Sequence, residues 1–331
     1  MNLRSPLTTA PDARETPLRL AVIGCGRVFE RYHQPAIAAS RDIQLVAVCD
    51  VAHARRAWAE TALPGVPCYE SMEDMLRARE AEAALITAPP AVHSPAAAAA
   101  LRAGLSVLVE KPMALSLAEA HALQQLQRQT ARVLRVGFNR RYRPHYLGLR
   151  QRTKDVQQIE FRFIADVRQW NPGVEATAQF VLQDAGSHAL DLIAWLAERP
   201  IERLSARLDK SADGCLVRNK AELAGGIAAE CTVGHALRYD EHVVVGGSSG
   251  RRRDAAASLA SRVALAFCKV VGRPTPTARS FRAQLAAFFA ACRGRPDQVG
   301  AGVDDGVAAV AAVEAALRSV DAAGAWQVVH Y

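Results

Sequence analysis

No apolar run in this sequence reaches the length of a membrane span; the longest candidates are interrupted by arginine, glycine or proline. Met1 to Pro17 has neither an apolar signal core nor a twin-arginine pair, so export is not expected and the segment reads as a mobile tail. Pairing signals for cysteine are missing too. Cys25, Cys49, Cys68, Cys215, Cys231, Cys268 and Cys292 are odd in number, with no Cys-x-x-Cys among them. That argues against a disulfide framework and a zinc site, and for reduced thiols in a cytoplasm. No internal repeat and no nucleic-acid module is visible, although the net charge is +8. The excess is arginine, clustered at Arg140-Arg141-Tyr142-Arg143 and Arg251-Arg252-Arg253 among interspersed acidic residues. Such clusters are either solvated surface or a wall facing an anionic substrate; neither nucleic acid nor membrane is the expected partner.

What is present is ordinary globular material. The chain has 331 residues, 50% hydrophobic and 22% charged, enough for two domains with their own cores. The run Arg19-Leu20-Ala21-Val22-Ile23-Gly24-Cys25-Gly26-Arg27-Val28 reads as a short buried strand, a tight glycine turn and a helix start. Glycines there let the backbone approach a pyrophosphate, whose charge then sits on free N–H groups at the helix N-terminus. A second strand, Gln44 to Cys49, ends at Asp50, where a carboxylate can accept bonds from a ribose hydroxyl pair and repel a 2′-phosphate. This predicts a dinucleotide fold preferring NAD; NADP stays possible through Arg55 or Arg56. A βαβ unit without a nucleotide is the alternative.

Strands and helices then alternate. Helices are predicted over Ala52 to Thr61, from the capping boxes at Ser71 and Ser116, and from Ser94-Pro95 to Gly104. Strands are predicted at Ala83 to Thr87, Ser106 to Val109 and Val133 to Val136. The pattern predicts a doubly wound parallel sheet over residues 18–137. Beyond Gly137 to Pro144 the periodicity changes. Gln158 to Ile164 alternates, and similar strands are expected near Leu204 to Leu208, Ala221 to Val233 and Glu241 to Val245. Asp213-Gly214 is a hairpin signal, and Gly246 to Gly250 is a looser break. Helices at Ser280 to Cys292 and Asp304 to Ala322, then a strand at Trp326 to Val329, complete an α+β domain over 138–331. Its sheet is expected to be large, open and mostly antiparallel.

Ligands of a doubly wound sheet lie beyond the carboxyl ends of its strands. Those ends carry Thr87-Ala88-Pro89-Pro90 with His93, then Glu110-Lys111-Pro112, then Gly137 to Arg141. The cofactor side is therefore expected to include Gly24, Gly26, Arg27, Val28, Asp50, Thr87, Pro89, His93 and Glu110. Lys111 directly follows a buried strand and can point into the cleft and exchange protons; a surface salt bridge with Glu110 is the alternative. Asp184, His188 and Asp191 fall at i, i+4 and i+7, one helical face, which suits a carboxylate-oriented proton relay. A structurally bonded His188 is the alternative, and no third ligand cluster supports a metal.

Gly24-Cys25-Gly26-Arg27, Glu110-Lys111-Pro112, Phe138 to Pro144 and Asp184-x-x-x-His188-x-x-Asp191 occur in order, and Ser280-Phe281 and Gly324-Ala325-Trp326 close the set. Together, over residues 18 to 330, they resemble the Gfo/Idh/MocA oxidoreductases, the glucose–fructose oxidoreductase and inositol dehydrogenase family. The resemblance implies a Rossmann domain followed by an α+β domain whose open sheet face forms a homodimer or homotetramer. It implies a sugar, sugar-nucleotide or cyclitol substrate, oxidised or reduced by hydride transfer. Matched by residue, Lys111 contacts the reacting hydroxyl, Asp184 is its partner carboxylate, and His188 is the general acid/base. Two departures stand out: Phe29 replaces a small residue, and Ala178 to Gln183 replaces a glycine-rich run. Arg140, Arg143 and Trp170 are candidate substrate contacts by position. A redox-assisted glycosidase that retains NAD and a dinucleotide-sensing regulator are the competing readings; the Lys111, Asp184 and His188 set counts against the regulator.

Overall fold

The computed structural model describes residues 16–166, 173–211, 214–237, 239–248, 250, 252–256 and 275–331. The mobile-tail expectation, Trp170, Asp213, Arg251 and Cys268 fall outside these residues in whole or in most part. Among the described residues no helix is long and apolar enough to cross a membrane.

The first sheet is built from β1 (Leu18–Ile23), β2 (Ile43–Cys49), β3 (Cys68–Tyr69), β4 (Ala83–Ile86), β5 (Ser106–Val109) and β6 (Leu134–Val136). Their order is β3-β2-β1-β4-β5-β6, and every pairing is parallel. This is the doubly wound arrangement, with the order reversing between β1 and β4. β4 and β5 are buried at every position, as helices on both faces require. Ser71 and Ser116 cap their helices by accepting the Asp74 and Glu119 N–H groups. One start is corrected. The alanine-rich helix begins at Pro90, not after Ser94, and contains Pro95. Pro90 takes the first helical position, where the missing N–H is harmless, so the preceding turn can wind as well.

The second sheet contains β7 (Val156–Ala165), β8 (Ile201–Ser211), β9 (Gly214–Leu223), β10 (Ile227–Ala236), β11 (Asp240–Gly247), β12 (Arg252–Ala256) and β13 (Gln327–Val328). Its order is β12-β11-β7-β10-β9-β8-β13, antiparallel except for β7 with β10. The single strand expected over Ala221 to Val233 is two strands. They turn at Gly225 and Gly226, both at positive φ, which only glycine adopts cheaply.

The two sheets do not own separate helices. Helix Pro276–Cys292 sends Phe281, Leu285, Phe288 and Phe289 into the core beneath β1 and β4. Helix Val303–Asp321 places Val303, Val307 and Val310 in the core of the first sheet, and Ala312, Val313 and Ala316 in that of the second. Arg141 ties these parts together at the crossover. It donates to both carboxylate oxygens of Asp191, and its Nη2 also donates to Asp305 Oδ1 at 2.8 Å. Arg141 and Asp191 are buried, and breaking a buried pair strands the surviving charge. Arg141→Met is expected to lower unfolding stability by about 3–5 kcal/mol in urea titrations.

Candidate active site

The ends of the first sheet's strands face a cleft of about 1030 Å³, closed on its other side by elements of the second sheet. Arg27, Val28, Glu110, Lys111, Arg140, Arg143, Asp184 and His188 all line it. The remaining expected residues lie around the glycine turn or behind it.

That turn fits a dinucleotide. Gly24 sits at φ +94°, and a Cβ there would lie 2.5 Å from the Ala88 backbone nitrogen. At Gly26 a Cβ would meet nothing within 4 Å, which leaves room for a pyrophosphate. The chain is helical from residue 27. Thr87 donates its hydroxyl to the Gly24 carbonyl, and Pro89 is the cap residue of helix Pro90–Arg102. Asp50 accepts the Cys25 N–H at 2.7 Å and the Ala52 N–H at 2.9 Å. Each carboxylate oxygen has two acceptor sites, so the Asp50 carboxylate can brace the turn and still receive ribose hydroxyls. Arg55 donates to the Cys25 carbonyl and pairs with Glu30; Arg56 donates to the carbonyls of Asp50 and Val51. Both arginines are thus engaged in bracing the turn.

Phe29 does not enter the cleft. It is fully buried and packs edge-on against Trp58, with ring centroids 6.1 Å apart. A π-helical turn spans Phe29–His33, a local widening of the helix at the position where a small residue was expected. His93 is also buried, with Nδ1 and Nε2 each 2.7 Å from a carbonyl, those of Pro112 and Ala88. A neutral ring can donate to only one of them. His93 therefore fastens the loop after β4 to the loop after β5.

Lys111 reaches across the cleft. Its ammonium donates to the Asp184 carboxylate and, at 3.2 Å, to the Asp184 carbonyl. Its alternative partner Glu110 is instead held by His33 Nε2 at 2.7 Å. Asp184 lies in a π-helical turn, Leu182–Gly186, just ahead of helix Ser187–Ala197. Asp184 and His188 both line the cleft, but the carboxylates do not pair with the histidine. Asp191 belongs to Arg141, and Asp184 turns to Lys111 rather than to His188.

Burial works to raise the Asp184 carboxyl, but the Lys111 ammonium, aided by His235 and Arg140, holds it below the usual carboxylate range. His188 moves the other way. Burial, together with the charges of Lys111, Arg140 and Arg143, depresses it well below its ordinary value. Its ring is consequently neutral near pH 7, and its buried Nδ1 has no partner among the described residues.

Sequence reasoning missed two groups. His235 stands with Nε2 3.5 Å from Asp184 Oδ2. Glu241 receives Arg140, Arg143, Tyr146 and Tyr239. A signal was available: Glu241 is in phase with Val243 and Val245, and His235 with Cys231 and Val233, on the buried faces of their strands. A titratable side chain in the apolar phase of a strand needs a partner, and that partner marks a site.

Residues 18–138 match the family model for the Gfo/Idh/MocA proteins, described as an oxidoreductase family with an NAD-binding Rossmann fold. Over 340 aligned residues the chain is 27% identical to an inositol 2-dehydrogenase of Leifsonia xyli subsp. xyli, covering 96% of each protein. Residues 18–138 are thus the NAD-binding Rossmann part of a Gfo/Idh/MocA-type oxidoreductase. An inositol 2-dehydrogenase of Rhizobium meliloti is 26% identical and aligns with 92% of this chain and 97% of its own length. Among solved structures, the scyllo-inositol dehydrogenase of Lactobacillus casei with bound NAD(H) and scyllo-inositol superposes with a TM-score of 0.81 at 18% identity. That match covers 95% of this chain and 99% of the other, so the two proteins share a fold.

His93, His145, His188 and His235 are all depressed, burial being the largest cause in each, with His145 pushed down to about 4. The unfolded chain takes up protons below ~6.5 while these folded rings do not, so stability falls as pH falls from ~6.5 toward their folded values. The carboxylate contributions of Asp184 and Glu241 are lost only lower, through and below ~4. Urea midpoints are expected to drop between pH 7 and pH 5.5, with a shallower drop in His188→Gln.

Proposed function

We propose that the protein is an NAD-dependent oxidoreductase that interconverts a secondary hydroxyl and a ketone on a cyclitol or sugar. The observation that carries this reading is the Lys111–Asp184 pair beside a neutral, buried His188, in one cleft with the start of the glycine-turn helix. Whole-length likeness to inositol dehydrogenases supports the substrate class.

NAD, when bound, supplies the hydride acceptor or donor at its nicotinamide. Gly24, Gly26 and the N–H groups following them would receive its pyrophosphate, and Asp50 its adenosine ribose. On the substrate side His188 takes the hydroxyl proton in oxidation and returns it in reduction. A neutral imidazole is the form needed for the first of these. The Lys111 ammonium donates to the same oxygen and stabilises negative charge as it develops there. Asp184 fixes the ammonium, through side chain and backbone, so little reorganisation is needed at the moment of transfer.

A cytoplasmic homodimer or homotetramer is part of the same proposal. The described cysteines, Cys25, Cys49, Cys68, Cys215, Cys231 and Cys292, are free thiols, which suits a reducing compartment.

The test follows NADH absorbance with NAD and a panel of cyclitols and sugars, run in both directions. Wild type is expected to turn over, and Lys111→Ala to lose about 10²-fold or more in kcat, in the range typical of an acid/base or oxyanion-stabilising group. Silence in both directions despite NAD binding would overturn the reading. Asp50→Ser is expected to raise the NADP to NAD ratio of kcat/KM; an unchanged ratio would remove Asp50 from the ribose.

A further inference from the structure

We infer that the substrate is an anionic polyol, a sugar or cyclitol whose carboxylate or phosphate monoester is received by Arg140 and Arg143. The inference rests on the dehydrogenase reading and names its substrate class.

The first argument is charge. Arg140, Arg143 and Glu241 are 6%, 9% and 4% exposed, and both guanidiniums bond to that one carboxylate. Beside them Lys111 is matched by Asp184, and Glu110 accepts from His33. Two guanidiniums thus share one carboxylate at this wall, largely out of water, where an incompletely paired charge is costly.

The second argument is hydrogen-bond capacity. An ionised carboxylate offers about four acceptor positions. Glu241 already receives Arg140 Nη1, Arg143 Nη1 on both oxygens at 2.6 and 2.7 Å, and the hydroxyls of Tyr146 and Tyr239. It has nothing left to accept with. Each guanidinium spends its Nη1 on Glu241, which leaves Nη2 as the end that a ligand in the cleft can meet. Arg143 Nη2 reaches only the Thr277 hydroxyl, at 3.5 Å. The guanidiniums thus retain donors that this wall does not satisfy. A sugar hydroxyl could take one of them, but it would leave the charge incompletely paired. An anionic oxygen pair answers both deficits, because planar guanidinium groups match carboxylate and phosphate geometry.

The third argument is position. Arg140 and Arg143 line the same cleft as Lys111 and His188, on the side of Phe163 and Tyr239. The Arg140 guanidinium carbon lies 3.8 Å from the centroid of the Phe163 ring, a cation–π contact that helps to hold it in place. The glycine turn belongs to β1, in the other sheet, so the cofactor's pyrophosphate has its own seat.

The experiment titrates NADH-saturated protein calorimetrically with glucose, glucuronate and glucose 6-phosphate, and with myo-inositol and its monophosphate. At least one acidic ligand is expected to bind about tenfold or more tightly than its neutral counterpart, the effect of a charge-assisted hydrogen-bond set. Whether carboxylate or phosphate gains more identifies the anion. Arg140→Gln and Arg143→Gln should each bring the acid-to-neutral ratio toward one. Either variant leaves Glu241 with one guanidinium and two tyrosines, and melting curves check that it folds. Equal or weaker binding of the acids, or an acid preference untouched by both substitutions, would overturn the inference. Turnover assayed alongside separates the two readings. Oxidation of neutral polyols without acid preference sinks only the anion site, and acid-selective binding without any turnover sinks the dehydrogenase that it presupposes.

Discussion

The site depends on the ion pair between Lys111 and Asp184. Lys111 comes from the end of a strand in the first sheet, and Asp184 from a π turn against the second. An ammonium placed near two arginines would repel both without a carboxylate beside it. Burial and the charges of Lys111, Arg140 and Arg143 fall on His188, which is held well below its ordinary value. Its neutrality is a property of the cleft rather than of the histidine. The same pair fixes the distance between the sheets at the point where chemistry is expected, so catalytic geometry and interdomain geometry are one constraint.

Much of this was legible from residue order. Gly24 and Gly26 after four apolar residues, and Asp50 after the next strand, are local signals, and the structure places them at one corner. Lys111 was legible because it follows a buried strand directly. The alternation of β7, β10 and β11 gave the second sheet its faces. The pairing of charges was not legible. Asp191 looked like a partner of His188 from helical spacing, yet Arg141, 50 residues earlier, takes it. Glu110 looked like the salt bridge of Lys111, yet His33, 77 residues earlier, holds it. Glu241 and His235 were passed over because each is one residue in an otherwise ordinary strand, and their meaning depends on side chains brought from elsewhere by tertiary packing. The helix start at Pro90 was missed because Ser94-Pro95 is a valid signal in its own right and lost to a stronger one upstream.

Two residues do more than their motif suggests. Asp50 is the acidic residue after the second strand, but both of its oxygens also take backbone N–H groups, one from within the glycine turn. It stiffens the loop that carries the two glycines. Phe29, a departure from the usual pattern, turns away from the cofactor into the core, and the helix has widened where it does so. The backbone adjusts there, and the open space at Gly26 is kept.

Helix Val303–Asp321 contributes side chains to both cores, and helix Pro276–Cys292 fills the underside of the first sheet. The Rossmann unit read from the sequence is therefore not a detachable module. A fragment cut after β6 would expose the apolar surface that Phe281, Leu285, Phe288 and Phe289 cover, and would be sticky rather than foldable. Grafting this nucleotide-binding half onto a foreign partner would require the two late helices to travel with it, although about 140 residues of sequence lie between β6 and the first of them.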